Sequence, residues 1–242
     1  MAINQQRRRP IGGIKNKEIL IISEDKESFI LYFKNFLQKI GYEKTGERSE
    51  DNKIKHFFKG QLSRTFGGRF IAEITLSHAG ITHSEGMVKI ANQESLKRKK
   101  SSEEFRAFCV FDAENEEKLK KDLEIKTEQN VKKIISFPCY EAWLLMHFIT
   151  NLNEDKFQKI NAADLITELS NQYRLKFGEE GLQFGISISY RKNLMTETIF
   201  NWLYSNINTA KANAQRLRNE NKKHLSTEID LLINELENFS VA

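Results

Sequence analysis

Proline is nearly missing from this sequence: only Pro10 and Pro138 occur in 242 residues. Proline blocks helix interiors, so its scarcity beside abundant Leu, Lys, Glu and Asn favours long helices. Cysteine is equally sparse. Cys109 and Cys139 sit in apolar surroundings, with no second Cys or His at metal-ligand spacing. That excludes a disulfide framework and a thiolate zinc site, and reads as two buried free thiols in a reducing compartment. No apolar run approaches the roughly 20 residues of a membrane span. The N-terminal arginines are not followed by the apolar core of a signal peptide, so a cytoplasmic location and no membrane partner are expected. There is no G-x-x-x-x-G-K-[ST] loop, so the chain is not itself a P-loop ATPase. Ser23 and Ser136 lack a recognisable His and acid context, which argues against a hydrolase triad. No internal repeat or low-complexity tract is visible.

What remains is an ordinary globular composition, 39% hydrophobic and 29% charged, long enough for one large domain or two small ones sharing a core. The formal charge is +5. A positive excess suits a nucleic-acid partner, because phosphates reward clustered cations. Two clusters stand out as candidate contacts: Arg7, Arg8 and Arg9, and Lys97, Arg98, Lys99 and Lys100. Lys192, Lys211, Arg216 and Arg218 lie in helical segments, where a solvated face explains each one singly.

Residues 1–16 read as a basic arm. The apolar run 18–23 (EILIIS) predicts a buried strand, and Phe29, Phe33, Phe36, Leu37 and Ile40 at helical spacing predict a helix ended by Gly41. Residues 43–69 predict a hairpin or loop, in which Gly67-Gly68-Arg69 reads as a turn. Strands follow at 70–76, 105–111 and 132–137, with helical segments at 85–96 and 115–130. After Glu141 the signal is helical, near 161–173, 193–218 and 224–238. Alternating strands and helices predict an α/β fold with a mainly parallel sheet. The expected organisation is an α/β domain with its basic arm over residues 1–137, and a helical region over 138–242 packed on it.

Ligands of such sheets bind beyond the carboxyl ends of the strands. There the first strand delivers Glu24, Asp25 and Glu27, and the strand 105–111 delivers Asp112 and Glu114. Alternation puts Asp112 and Glu114 on one side. Carboxylates converging from two strands form a hard-oxygen site suited to Mg²⁺ or Mn²⁺. A bound ion would polarise a phosphate oxygen and orient a nucleophile. The bland alternative is that acids follow strands because turns are polar. Glu141, at a helix start, has a site role and a helix-dipole role as equal alternatives. Trp143 reads as a core residue on an apolar helix face, and so in the first place does His147, with a proton donor or phosphate contact as its alternative.

IISE with Glu24, and VFDAE with Asp112 and Glu114, resemble the two acidic elements of a TOPRIM domain. The chain departs from that pattern at Asp25, where Gly is usual, and at Glu114, where Asp is usual. The stretch SFPCYEAWLLMHF, from Ser136 to Phe148, is similar to a signature of RloB-like proteins, with Tyr140 in place of the usual Phe. Arg7 to Arg9, Ile21 to Asp25, and the late pair Asn213 and Ala214 extend the resemblance over nearly the whole chain. It implies a TOPRIM-like fold and a role in anti-phage defence or abortive infection. It further implies a divalent-metal nuclease acting on DNA or RNA, tRNA among them, beside an ABC-type or AAA-type ATPase. Glu24, Asp112 and Glu114 would be metal ligands, with Glu141 a further catalytic candidate. The departures support a rival expectation, a non-catalytic sensor or adaptor docking on the ATPase.

Overall fold

A computed structural model of the chain describes residues 15–50, 53–62, 70–78, 80, 83–98, 104–149, 160–183, 195–219 and 225–239. The described elements run β1 (Lys15–Ser23), α1 (Ser28–Lys39), β2 (Glu43–Glu50), β3 (Lys53–Leu62), β4 (Phe70–His78), α2 (Ser84–Arg98), β5 (Glu104–Asp112), α3 (Glu116–Glu124) and β6 (Val131–Phe137). Then come α4 (Glu141–Met146), α5 (Ala162–Gln183), α6 (Glu197–Ser205), α7 (Ile207–Asn219), β7 (Ser226–Thr227) and α8 (Ile229–Asn238).

The fold is mixed α/β, with a seven-stranded sheet in the order β2-β3-β4-β1-β5-β6-β7. The expectation of a mainly parallel sheet needs correction. Only the central β4-β1-β5-β6 block is parallel, while β2, β3 and β4 pair antiparallel and β7 pairs antiparallel with β6. The central strands read clearly in sequence because both their faces are covered, giving continuous apolar runs. Along β1, Ile19 and Ile21 join one core cluster, whereas Leu20 and Ile22 join another. The first cluster gathers residues of α1 and α4 to α8; the second gathers Met87, Val88 and Ala91 of α2, with Leu119 of α3 packed against it. Helices therefore flank the sheet on both sides.

Three contacts hold the later elements in place. The Tyr42 hydroxyl donates to the Phe239 carbonyl at 2.8 Å. Asn213 Nδ2 donates to the carbonyls of Met146 and Ile149, each at 2.9 Å, answering acceptors left over at the end of α4. Ala214 beside it is fully buried. Arg218 grips the Asp230 carboxylate with both guanidinium nitrogens and also donates to the Thr227 carbonyl at 2.6 Å, so this cation is spent on structure.

Both cysteines are free and buried, as expected. Among the described residues no helix is long and apolar enough to cross a membrane. His147 is a core residue. Its Nδ1–H faces the Trp143 carbonyl at 3.0 Å, and its Nε2 lies 3.5 Å from the Tyr32 hydroxyl. Burial pulls its pKa down from 6.5 to about 4. Between those values the unfolded chain binds a proton that the folded chain refuses, so stability falls as the pH drops through that window. The linkage is worth about 3 kcal/mol in total. Thermal unfolding of wild type and His147→Gln from pH 7 to 4 checks it. The variant should show a shallower decline below pH 6.5, and identical slopes would remove His147 as the cause.

Candidate functional site

The parallel block brings four strand ends to one edge. Ser23 stands in register with His78 of β4 and Val110 of β5, and Asp112 stands in register with Ser136 of β6. The chain leaving β1 continues the ladder for one more bond, from the Glu24 N–H to the Val110 carbonyl at 3.1 Å. This carries the Glu24 side chain towards the end of β5, where its Oε2 accepts from the Asp112 backbone N–H at 3.4 Å. Glu24 and Asp112 thus meet at one edge of the sheet, on neighbouring strands.

Asp25, where the TOPRIM pattern has glycine, shapes the turn. Its carboxylate accepts from the Glu27 N–H and the Ser28 hydroxyl, both at 2.6 Å. Glu27 is the residue at which α1 begins, and its carbonyl accepts from the Leu31 N–H at 2.9 Å. Its backbone is therefore engaged in starting the helix.

Burial raises the pKa of Glu24; Lys118 and the Asp112 N–H oppose that, and the charges of Glu114 and Asp122 add to it. Lys118 Nζ lies 3.7 Å from Glu24 Oε2. It is delivered by α3, whose start is fixed by the Asn115 side chain accepting from the Lys118 N–H at 2.9 Å. Glu114 is exposed and acts on Glu24 through its charge. Asp122, at 2% exposure, accepts a short hydrogen bond from the Ser84 hydroxyl. Neither Lys118 nor Asp122 was singled out from the sequence. Both sit in a charge-rich helical segment, where only the packing of α3 separates them from their neighbours.

Glu141 is completely buried at the start of α4. The Cys139 thiol reports its neighbourhood: burial pushes its pKa up, and the charges of Glu141 and Asp112 push it further. Glu141 and Asp112 therefore act on one buried thiol between β6 and α4. Lys97 and Arg98 are described; Lys97 pairs with Glu94 at 2.9 Å, and Arg98 with Glu18 and Glu94. The other cations of the two expected clusters, Arg7, Arg8, Arg9, Lys99 and Lys100, lie outside the described residues, as do Lys192 and Gly67-Gly68-Arg69.

The donor set is made of carboxylate oxygens, with Glu114 and Asp122 adding to the raised pKa of Glu24, and such oxygens suit a hard divalent cation. Its arrangement is less complete. Among the described residues no group of three or more His, Cys, Asp or Glu is arranged to hold a metal ion. Glu24 and Asp112 form a pair of strand-end acids with Lys118 alongside.

Comparison with known proteins gives one clear relationship. No curated protein and no solved structure matches the chain significantly. A family model described as RloB-like protein matches residues 19–236, which takes in the second half of β1, the acidic strand ends, the Ser136–Phe148 stretch and the Asn213–Ala214 pair. The chain belongs to the RloB-like family.

Proposed function

We propose that this chain is an anti-phage effector that cleaves nucleic acid at the carboxyl edge of its sheet, working beside an ABC-type or AAA-type ATPase. The observation that carries the reading is the meeting of Glu24 and Asp112 there, with the Glu24 pKa raised by burial and by neighbouring acids. Acidic charge concentrated at the ends of parallel strands is where a phosphodiester and a cation are brought together. Glu24, Asp112 and Glu114 would hold Mg²⁺ or Mn²⁺, which would draw charge from a phosphate oxygen. Lys118, beside Glu24, neutralises that carboxylate before substrate arrives and offers a cation to a phosphate afterwards. Glu141, completely buried at the start of α4, stands with Asp112 close enough to the Cys139 thiol for both to act on it.

The test is incubation of the purified protein with tRNA, single-stranded DNA and duplex DNA, with Mg²⁺, with Mn²⁺ and with EDTA. Cleavage of at least one substrate, lost in EDTA, is expected. No cleavage of any substrate, alone or with the partner ATPase, would sink the reading. One observation favours a second one. The Lys118–Glu24 pair and the incomplete ligand group suit a non-catalytic adaptor whose acidic edge is already neutralised from within.

A further inference from the structure

Between α2 and the β2–β3 hairpin, one face of the sheet is left uncovered by the described residues, forming a depression of about 430 Å³. Its floor is made by alternate residues of three strands: Leu20 and Ile22 of β1, Thr75 and Ser77 of β4, and Phe57 of β3. Its rim on the hairpin side is cationic, with Arg48, Lys53 and Lys55 all exposed. Arg48 stands directly opposite Lys55 across the β2–β3 pair. Lys53 and Lys55 make no ion pair with any described residue, whereas Lys59, next along the same face, is paired with Glu73 at 3.0 Å. On the α2 wall the acid Glu94 is paired with Lys97 and Arg98. Among the residues that line the depression, cations outnumber acids.

The Phe57 ring is half-buried on this face. Across β2 its partner is Gly46, which has no side chain to cover it, and across β4 its partner is Thr75. The opposite face of the same strands is closed by the core, with Phe58, Ile74 and Leu76 buried. So the strands bury one face against helices and offer on the other an aromatic ring flanked by lysines. An aromatic ring on a sheet face beside cations suits unpaired bases, whose flat faces stack while the backbone follows the charges. A duplex keeps its bases stacked inside and cannot offer one to the ring.

The depression also leads somewhere. Ile22 and Ser77 of its floor are in register and directly precede Ser23 and His78 at the carboxyl edge. Glu24 lies two residues beyond Ile22, about 7 Å along an extended chain. Strand bound over Phe57 would run off the floor at the edge where Glu24 and Asp112 meet.

We infer that this face of β1, β4 and β3 is a binding platform for single-stranded nucleic acid, with Phe57 stacking a base and Arg48, Lys53 and Lys55 holding phosphates. The inference rests on the reading of nucleic acid as the substrate and adds its strandedness and its path. It is tested by fluorescence anisotropy on the full chain in EDTA, using a labelled twelve-nucleotide dT strand, the equivalent U strand and a duplex of the same length, over a salt series. The variants are Lys53→Gln with Lys55→Gln, and Phe57→Leu, with Lys132→Gln, an exposed lysine paired with Glu235 away from the depression, as the control. Wild type should prefer the single strands. Loss of the two lysines should flatten the log–log salt slope by about 1.4. Phe57→Leu should weaken binding about tenfold while keeping an apolar side chain at that position. If wild type binds single strands but the lysine and Phe57 variants both match it, the platform is wrong and the proposed function stands. Preference for the duplex, or an effect of the lysines with none of Phe57, overturns the single-strand assignment. If wild type binds no nucleic acid, the functional reading fails and takes the platform with it. Unchanged melting temperatures show that any loss is one of binding rather than folding.

Discussion

Asp112→Asn should lower nucleic-acid cleavage by about a thousandfold, because a carboxylate lost from a cation-dependent site costs several kcal/mol of charge stabilisation. The substitution keeps the shape of the side chain. It leaves the backbone of Asp112 free to pair with Ser136 and to donate to Glu24, so the edge keeps its form. It also removes one of the charges acting on the Cys139 thiol. Relief of crowded negative charge should leave the variant at least as stable as the metal-free wild type. Two measurements are needed: cleavage by the purified variant, and plaque formation on cells carrying the whole locus, with the protein level checked by blot. On the catalytic reading a well-expressed Asp112→Asn protein gives no protection. Full protection by that protein would remove the catalytic role and put the adaptor reading in front.

The second large effect is on stability. Trp143→Ala should cost about 3–5 kcal/mol, the range for deleting a large aromatic from a packed core. Trp143 is fully buried. Its ring meets Tyr32 of α1 edge-on at 6.3 Å and the His147 ring at 4.8 Å, and Tyr32 in turn meets Phe200 of α6 at 5.8 Å. The indole therefore joins a helix of the first half of the chain to helices of the second, and truncating it leaves a cavity where they converge. For a chain of this size the melting temperature should drop by about 10 °C. Trp143→Phe retains an aromatic ring and should lose much less. A loss below about 1 kcal/mol for the alanine variant would show that the surrounding helices collapse into the space, against the packing described here.

How far the sequence led depended on how each element is stabilised. β1, β5 and β6 were legible because burial on both faces writes an unbroken apolar run, and α1 because Phe29, Phe33, Phe36 and Leu37 are all buried on one side. The segment EKTGERSE carries no such signal. Glu43–Glu50 is a strand because it lies against β3, and most of its side chains are exposed. The expected helix at 193–218 is divided in the structure at Asn206, whose side chain donates to the Trp202 carbonyl at 2.9 Å. β7 is two residues long and exists through pairing with β6, which no local pattern announces. The candidate site divides in the same way. Glu24 and Asp112 were visible as strand-end acids, since strand ends can be read locally. Lys118 and Asp122 reach the edge only through the docking of α3, a long-range event.

The closing of β6 by β7 has a consequence for the time at which the protein becomes itself. The Ile135 N–H is answered by the Glu228 carboxylate and its carbonyl by the Glu228 N–H, while the Ser136 hydroxyl meets that of Thr227 at 2.9 Å. Those partners are made some ninety residues later than the strand they complete. On the ribosome, β6 and the acidic edge beside it must wait, half-bonded, until almost all of the described chain has emerged. Synthesis from one end to the other then delivers the finished edge late and all at once, so nascent and prematurely terminated chains carry an unfinished one.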